Sequence, residues 1–493
     1  MADPGPPQAP YDVVVIGGGI VGCGIARDAA LRGLRVALVE KHDFGSGTTS
    51  GSTRLIHGGL RYLATADFAL VRLDLREREI LLRIAPHLVK PLPFLLPLPK
   101  RLFGRLRLRI GMWLYDLLSY DKTLPRHRIL SPAELQAAEP GLDTSRFHGA
   151  AVFYDAQCAS PERLALENVI DAHEHGAFVQ NYAEVVGAIH EGDRLVGVKV
   201  KKVLTGAEQE LRGRVVVNAS GPWFDRVAAR IERSTPGPRL RTTKGIHIAC
   251  EPFTSNAIFL ESSVDGRAVF AIPWMGHTWV GTTDTDFDGD PATAAATDED
   301  VRYLIESLAP QLPGVRTAKK HWTGAGVRAL VRSDGSPSGV SRMHQLTNDT
   351  PGLISVIGGK LTGYRAIAEE VVDRVCGDLQ ITAPCTTATI PLPGGGPERS
   401  GVPHLDAIYG SRAPRVRAFL ERDVALAAPL APAYPDALGQ VAYAARHEWA
   451  QRREDFTERR SFLGFQPDRG QAALAAIDAA LSAPLSPAVV PQA

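Results

Sequence analysis

Residues 11–41 read YDVVVIGGGIVGCGIARDAALRGLRVALVEK, and the fold turns on how this stretch is parsed. Residues 12–16 form an unbroken apolar, β-branched run, the pattern of a parallel strand covered on both faces. A glycine turn follows at once. Gly17, Gly19 and Gly22 satisfy G-x-G-x-x-G: the first permits the tight turn, the second lets a pyrophosphate approach the backbone, and the third allows close helix–strand packing. A helix is expected over 20–31, with its N-terminal amides and the positive end of its dipole facing the phosphates, and with Gly33 as its stop. A second strand over 35–39 ends in Glu40, placed to accept hydrogen bonds from ribose hydroxyls and to disfavour a 2′-phosphate. Strand, turn, helix, strand and terminal acid in this order make a dinucleotide-binding unit, with NAD and FAD as the alternatives. After Glu40 the chain continues HDFGSGTTSGSTRLIHGGLRY (42–62). An NAD domain would pass here into a further βαβ unit, whereas this small, hydroxyl-rich loop suits an extended flavin.

Composition bounds the rest. The chain has 493 residues, 44% hydrophobic and 22% charged, enough to bury a large core and divide into two or three domains. A formal charge of +1 argues against wholesale binding of nucleic acid. Cys23, Cys158, Cys250, Cys376 and Cys385 show no C-x-x-C spacing, so neither a disulfide framework nor a metal or iron–sulfur site is expected, and a reducing, cytoplasmic setting fits best. The leader MADPGPPQAP (1–10) lacks the basic start and apolar run of a signal peptide and is expected to be disordered, as is the tail 486–493. No stretch reaches the roughly 20 apolar residues of a membrane-spanning helix.

Far downstream, LISVIGGKLTGYR (353–365) combines an apolar strand (353–357), a two-glycine turn and a helix expected to begin near Leu361, a junction that aims backbone amides at a negatively polarised group. Read in order, IGGGIVGCGIARDAALRGLRVALVE (16–40), TTSGSTRLIHGGLRYL (48–63), VVNASGPW (216–223), KGIHI (244–248), IPWMGHTWVGTTDTD (272–286), GAGVRAL (324–330) and GGKLTGYR (358–365) resemble the FAD-dependent glycerol-3-phosphate dehydrogenases over about residues 11–395. ARHEWAQRREDFTERRSFLG (445–464) is similar to the C-terminal helical domain of that family. The departures are Gly363 where threonine is common, Ala329 where proline is common, and Arg54 where lysine is frequent.

The resemblance implies an α/β fold of glycine-oxidase type. A discontinuous Rossmann-like FAD-binding domain would take 11–84, 158–239 and 324–390, an antiparallel-sheet substrate domain 85–157 and 240–323, and a C-terminal helical domain 391–485. It places FAD against Gly17, Gly19, Gly22, Glu40, Thr49, Ser50, Ser52, Thr53, His57, Gly58, Gly59, Leu60, Ala219, Gly221, Trp223, Gly359, Lys360, Leu361 and Thr362, so that the late segment returns to complete the cofactor site. It also gathers Arg61, Arg328, Arg342 and Lys360 around a phosphate-bearing substrate. On the residues alone, a basic side chain on a loop is ordinarily a solvated surface group, and for Arg342 that reading is nearly as good as function. Arg328 and Lys360 follow glycine-bearing turns whose backbone freedom a merely exposed charge would not need.

The implied substrate is sn-glycerol 3-phosphate, whose phosphate handle positions a secondary alcohol for hydride transfer to flavin. Lys360 would stabilise charge on the substrate oxygen or the reduced flavin. Tyr62 is a candidate for shaping the pocket or moving a proton, with aromatic packing an equal alternative. His57 and His247 are acid–base candidates by their intrinsic titration range, with a structural role the better reading for His57. Oxidases of amino acids or amines, oxygen-using glycerol-3-phosphate oxidases and a noncatalytic flavin-binding sensor share the flavin motifs and remain open.

With no second dinucleotide signature, cysteine cluster or haem motif, the electron acceptor is expected to be external. The resemblance implies a membrane quinone. Residues 93–118, PFLLPLPKRLFGRLRLRIGMWLYDLL, place Arg101, Arg105 and Arg109 on one helical face. This suits an interfacial helix on the anionic cytoplasmic face of an inner membrane, although a helix packed on the protein's own core, or a strand over RLRLRI, reads equally well. A homodimer is left open.

Overall fold

The structure is a computed structural model that describes residues 9–65, 67–234, 237–332 and 343–482, apart from the side chains of residues 61, 64 and 65. Arg342, the side chain of Arg61 and most of both tails therefore lie outside the described residues.

In chain order the strands are β1 (Tyr11–Ile16), β2 (Val36–Val39), β3 (Leu55–Ile56), β4 (Val89–Pro99), β5 (Arg128–Leu130), β6 (Phe147–Cys158), β7 (Phe178–Gln180), β8 (Ala183–Glu191) and β9 (Arg194–Lys202). They continue with β10 (Glu208–Asn218), β11 (Leu240–Cys250), β12 (Ala257–Glu261), β13 (Ala268–Trp274), β14 (His277–Gly281), β15 (Thr285–Asp286), β16 (Lys320–Val331), β17 (Gln345–Thr347) and β18 (Leu353–Ile357). The principal helices are α1 (Ile20–Leu31), α2 (Phe68–Ile84), α3 (Leu102–Leu118), α4 (Pro132–Ala138), α5 (Pro161–Glu174), α6 (Phe224–Ile231), α7 (Asp298–Leu308), α8 (Gly314–Thr317) and α9 (Tyr364–Leu379).

The apolar run at the start becomes β1, between β10 and β2 in a sheet ordered β17-β18-β10-β1-β2-β7. Its pairings with β2 and β10 are parallel, Val13 lying opposite both Val36 and Val215. Val13 and Val15 enter a core shared with α1, α5 and α9, while Val14 and Ile16 enter a separate core with residues of β8, β9 and β10. Burial on both faces is why no polar residue interrupts the run 13–16. The helix α1 begins at Ile20 and stops before Gly33, whose φ of +79° is the left-handed geometry a helix terminus needs. Ser160 caps α5 by accepting from the Arg163 amide at 3.1 Å, with Pro161 in the first turn.

The second sheet runs β15-β11-β14-β13-β12-β4-β6-β3, with β16 beside β11 and β5 beside β6. Its pairings are antiparallel except β12 with β4. Main-chain pairing crosses two of the expected domain divisions. The limit at 324 falls inside β16, which pairs with β11 from Leu240 opposite Val331 to Ile248 opposite Thr323, and so belongs to the second sheet. The segment 11–84 also lends β3 to that sheet, against β6. Continuous main-chain pairing decides both cases, and motif boundaries do not report it.

One face of this sheet packs against α7, through Leu304 and Leu308. The other receives Met112 and Tyr115 of α3. Residues 102–118 are therefore helix and not strand, and the outer side of α3 carries Leu102, Phe103, Leu106, Ile110, Trp113 and Leu117 into solvent. Residues 403–482 form short helices. They are tied to the dinucleotide sheet by buried ion pairs: Arg459 and Arg460 to Asp43, just beyond β2, and Glu448 to Arg163 of α5.

Candidate active site

The turn between β1 and α1 has almost no spare volume. Gly17 adopts φ +104°, and a Cβ there would lie 2.6 Å from the Ala219 carbonyl oxygen. A Cβ on Gly22 would lie 1.9 Å from the carbonyl oxygen of Gly17. The helix therefore starts directly against the turn, and its first amide, Ile20 N, donates to the Thr49 hydroxyl at 3.0 Å. At Gly19 the nearest neighbour of a Cβ is the Thr49 hydroxyl at 3.6 Å, so that flank is open to a ligand. Glu40 bridges two amides: Oε2 accepts from Gly18 N at 2.7 Å and Oε1 from His42 N at 2.8 Å.

This turn forms one end of a cavity of about 410 Å³ that runs to the second sheet. The loop 46–62 walls it as a closely fitted layer. Gly51 crosses β16 at Gly326, where a Cβ on either residue would come within 3.0 Å of the other's backbone, and Thr48 donates to the Val327 carbonyl at 2.5 Å.

At the far end, glycines on neighbouring strands make room for two of the candidate side chains. Arg328 of β16 lies over Gly245 of β11, where a Cβ would meet its guanidinium at 2.1 Å. It donates to Asp284 Oδ1 at 3.0 Å and to Thr282 Oγ1 at 2.8 Å. His247 lies over Gly281 of β14 in the same way, stacks on Trp279 with ring centroids 5.3 Å apart, and shares a 3.0 Å hydrogen bond with Thr53. Burial, then the Arg328 and Arg54 charges, push the His247 imidazole well below its ordinary range, so it is neutral near pH 7 and serves as a hydrogen-bonding group. Arg54 itself is buried, paired with Glu162 at 2.8 Å and enclosed by Trp274, Trp279 and Phe465.

Lys360 enters from the third wall, after Gly358 and Gly359, whose φ values are +79° and +120°. Its Nζ lies 3.9 Å from the centroid of the Tyr62 ring and donates to Asp74 Oδ2 at 2.7 Å. The following helix, expected near Leu361, starts only at Tyr364. The Thr362 hydroxyl accepts from His57 N at 3.1 Å and donates to His57 O at 3.4 Å, which ties the turn 360–363 to the loop 46–62.

Most residues singled out in the sequence therefore meet here. Gly17, Gly19, Glu40, Thr49, Ser52, Thr53, His57, Gly59, Leu60, Tyr62, Ala219, Gly221, Trp223, His247, Arg328, Gly359, Lys360, Leu361 and Thr362 all line the cavity. Gly22 lies behind the turn. Ser50 and Gly58 are outside the lining: the Ser50 hydroxyl turns back to the Ser46 and Gly47 carbonyls, and the Gly58 amide points to Tyr115 and Asp155. His57, which lines the cavity, accepts from Gly59 N through Nδ1. Sequence reasoning missed Asp74, Asp155, Arg267, Thr282 and Asp284. Asp284 had a signal, since it sits in the quoted stretch 272–286; Asp74 had none.

Comparison with known proteins bears on the same residues. The family described as FAD dependent oxidoreductase matches residues 12–373, and the C-terminal domain of alpha-glycerophosphate oxidase matches residues 385–486. A glycerol-3-phosphate dehydrogenase of Synechocystis sp. is 40% identical, over 95% of this chain and 91% of its own length. The glycerol-3-phosphate dehydrogenase from Bacillus halodurans, solved complexed with FAD, superposes with a TM-score of 0.77 at 30% identity, over 96% of this chain and 91% of that one. Glycine oxidase from Geobacillus kaustophilus, at 22% identity and a TM-score of 0.57 over 78% of this chain and 99% of its own, shares the fold. The cofactor is FAD, and the side-chain-free turn at Gly17–Gly19 with Glu40 beside it fits a dinucleotide. With the motifs, the two-sheet architecture and the C-terminal helices all matched, the chain belongs to the family of FAD-dependent glycerol-3-phosphate dehydrogenases.

Proposed function

We propose that this protein oxidises sn-glycerol 3-phosphate to dihydroxyacetone phosphate and passes the electrons to a membrane quinone. The observation that carries the reading is the arrival of Arg328, from β16 of the second sheet, and Lys360, from the turn after β18 of the first, on one cavity continuous with the dinucleotide turn. A phosphate monoester carries between one and two negative charges near pH 7, and the planar guanidinium of Arg328 matches its oxygens two at a time. Asp284 and Thr282 aim that guanidinium before substrate arrives. Arg61 and Arg342 are further candidates for the phosphate. Lys360, seated over Tyr62, is assigned to the reacting hydroxyl, where it stabilises developing negative charge. Neutral His247, which lines the same cavity, donates or accepts a hydrogen bond there. Bound FAD supplies the acceptor for the hydrogen and electron pair of C2.

The quinone part of the reading is supported by α3. Its inner face is spent on Met112 and Tyr115, its outer face is a continuous apolar stripe, and Arg105, Arg107 and Arg109 flank that stripe. Its one acid, Asp116, is paired with Lys122 and His127. Such a helix fits the interface of an anionic bilayer. Among the described residues no helix is long and apolar enough to cross a membrane.

Anaerobic mixing of the FAD-loaded protein with glycerol 3-phosphate should bleach the flavin absorbance, while glycine and sarcosine leave it unchanged. A charge-assisted hydrogen bond is worth about 1.5–3 kcal/mol, so Arg328→Ala should weaken half-saturation by glycerol 3-phosphate about tenfold to a hundredfold. Bleaching by an amino acid and not by glycerol 3-phosphate would refute the assignment.

A further inference from the structure

Behind Lys360 lies a carboxylate with no counterpart in the motifs. Asp74 is on α2, buried, and its Oδ2 is the acceptor for Lys360 Nζ. Its other oxygen, Oδ1, is buried without a hydrogen-bond partner among the described residues, a setting that disfavours the ionised form. A second, much smaller cavity of about 10 Å³ opens on this side, lined by Leu70, Leu73, Asp74, His344, Lys360 and Ile367 among others. That is room for one water. Lys360 lines both cavities, whereas Asp74 lines only the small one. Lys360 thus connects the substrate cavity both to the carboxylate and to the water-sized cavity beside it.

We propose that Asp74 is the final acceptor of the substrate's hydroxyl proton, reached through Lys360. The inference rests on the oxidation assigned above and names the proton's destination in it. At C2 the C–H bond breaks and its electron pair leaves with the hydrogen to the flavin, so the alcohol carbon is oxidised and the flavin reduced. Lys360 Nζ hands the proton it already shares to Asp74 Oδ2, and the lone pair so freed takes the hydroxyl proton as the O–H bond breaks. Lys360 is an ammonium before and after, and Asp74 passes from carboxylate to carboxylic acid. The proton then leaves through the small cavity without returning past the substrate.

The electrostatics agree with this placement. Burial lifts the Asp74 carboxyl to about 6, against the pull of Lys360 and with a further push from Asp155 and Glu77. Those two acids are committed elsewhere: Asp155 of β6 to Arg78 and Tyr115, and Glu77 of α2 to Arg365. His344, at the small cavity, is bonded to Glu370. Asp74 is therefore ionised at neutral pH yet takes a proton readily, the condition for an efficient base.

The test compares wild type, Asp74→Asn and Asp74→Glu, all FAD-loaded. Flavin bleaching by glycerol 3-phosphate is followed in anaerobic stopped flow from about pH 5 to pH 8, alongside infrared spectra of the same proteins over that range. Wild type should bleach faster as pH rises through about 6 and then level off. Asp74→Asn should be slower by about a hundredfold or more and flat with pH, with half-saturation by substrate little changed, and Asp74→Glu should recover part of the rate. Independently of activity, a protonated-carboxyl infrared band should grow in wild type below about pH 6 and be missing from Asp74→Asn. A purely structural aspartate would leave the pH profile alone. Wild-type rate and pH profile in Asp74→Asn, or no such band in wild type, would overturn the inference while the oxidation stands. Failure of wild type to bleach at all would remove the parent reading, and this one with it.

Discussion

The double substitution Ile110→Glu/Trp113→Glu puts two carboxylates in the middle of the outward stripe of α3. Ile110 is 58% exposed and Trp113 66%, so neither supports the core and the fold should tolerate the change. Fully burying an aliphatic or aromatic side chain of this size is worth about 1.5–3 kcal/mol. The still-exposed part of each thus stands to gain about 1–2 kcal/mol on entering a bilayer interface. Each added negative charge beside an anionic surface costs about 1 kcal/mol more, by the same measure that credits a lysine or arginine. Together these remove about 4–6 kcal/mol of membrane affinity, a thousandfold or more at 1.4 kcal/mol per tenfold. The assay is co-sedimentation with phosphatidylglycerol-containing vesicles, with flavin bleaching by glycerol 3-phosphate as a control that should not move. Wild type should pellet with vesicles, less so as salt screens the arginines, and the double variant should stay in solution. A wild type that ignores anionic vesicles at low salt, or a variant that pellets equally, would refute the reasoning. A stripe covered by a second copy would show itself as a dimer that the same substitutions dissociate.

Two further tests address how the cavity is built and held. Gly326→Val would drive a branched side chain into the backbone at Gly51, where even a Cβ lies 2.7 Å from the carbonyl oxygen; it should displace the loop 46–62 and appear as FAD lost on gel filtration, while Gly377→Ala, at an open helical position, should retain it. Asp43→Asn should leave two buried guanidiniums short of a counter-charge and cost about 3–5 kcal/mol in unfolding free energy. Burial alone would raise the Asp43 carboxyl, but Arg460 and Arg459 hold it below its ordinary value. Its contribution is therefore present above the unfolded pKa, near 4, and lost as pH falls through the lower folded value, so the melting-temperature gap between wild type and Asp43→Asn should narrow in acid.

Local chemistry explains what could be read early. The burial of β1, the turn at Gly17 and the start of α1 are settled within a few residues, because a two-faced strand excludes polar side chains and a phosphate-binding turn excludes Cβ atoms. The cap at Ser160 and the strand 353–357 are legible for the same reason. The start of α9 was misplaced because the turn 360–363 is held by His57, some three hundred residues earlier in the chain. Likewise β16 joins the second sheet through its ladder with β11, a pairing that alternation in one strand does not name.

The sequence by itself marked a dinucleotide-binding turn at Gly17–Gly22 and an amphipathic segment within residues 93–118, and its resemblance to the family implied that a late lysine returns to the cofactor. Only the tertiary structure decided which side of that segment faces water, because the periodicity of an amphipathic helix distinguishes two faces without saying which one the core takes. Only the tertiary structure placed Asp284 on Arg328 and Asp74 on Lys360. Asp74 and Lys360 lie 286 positions apart, and the bond between two charges depends on distance through space, which separation along the chain does not record.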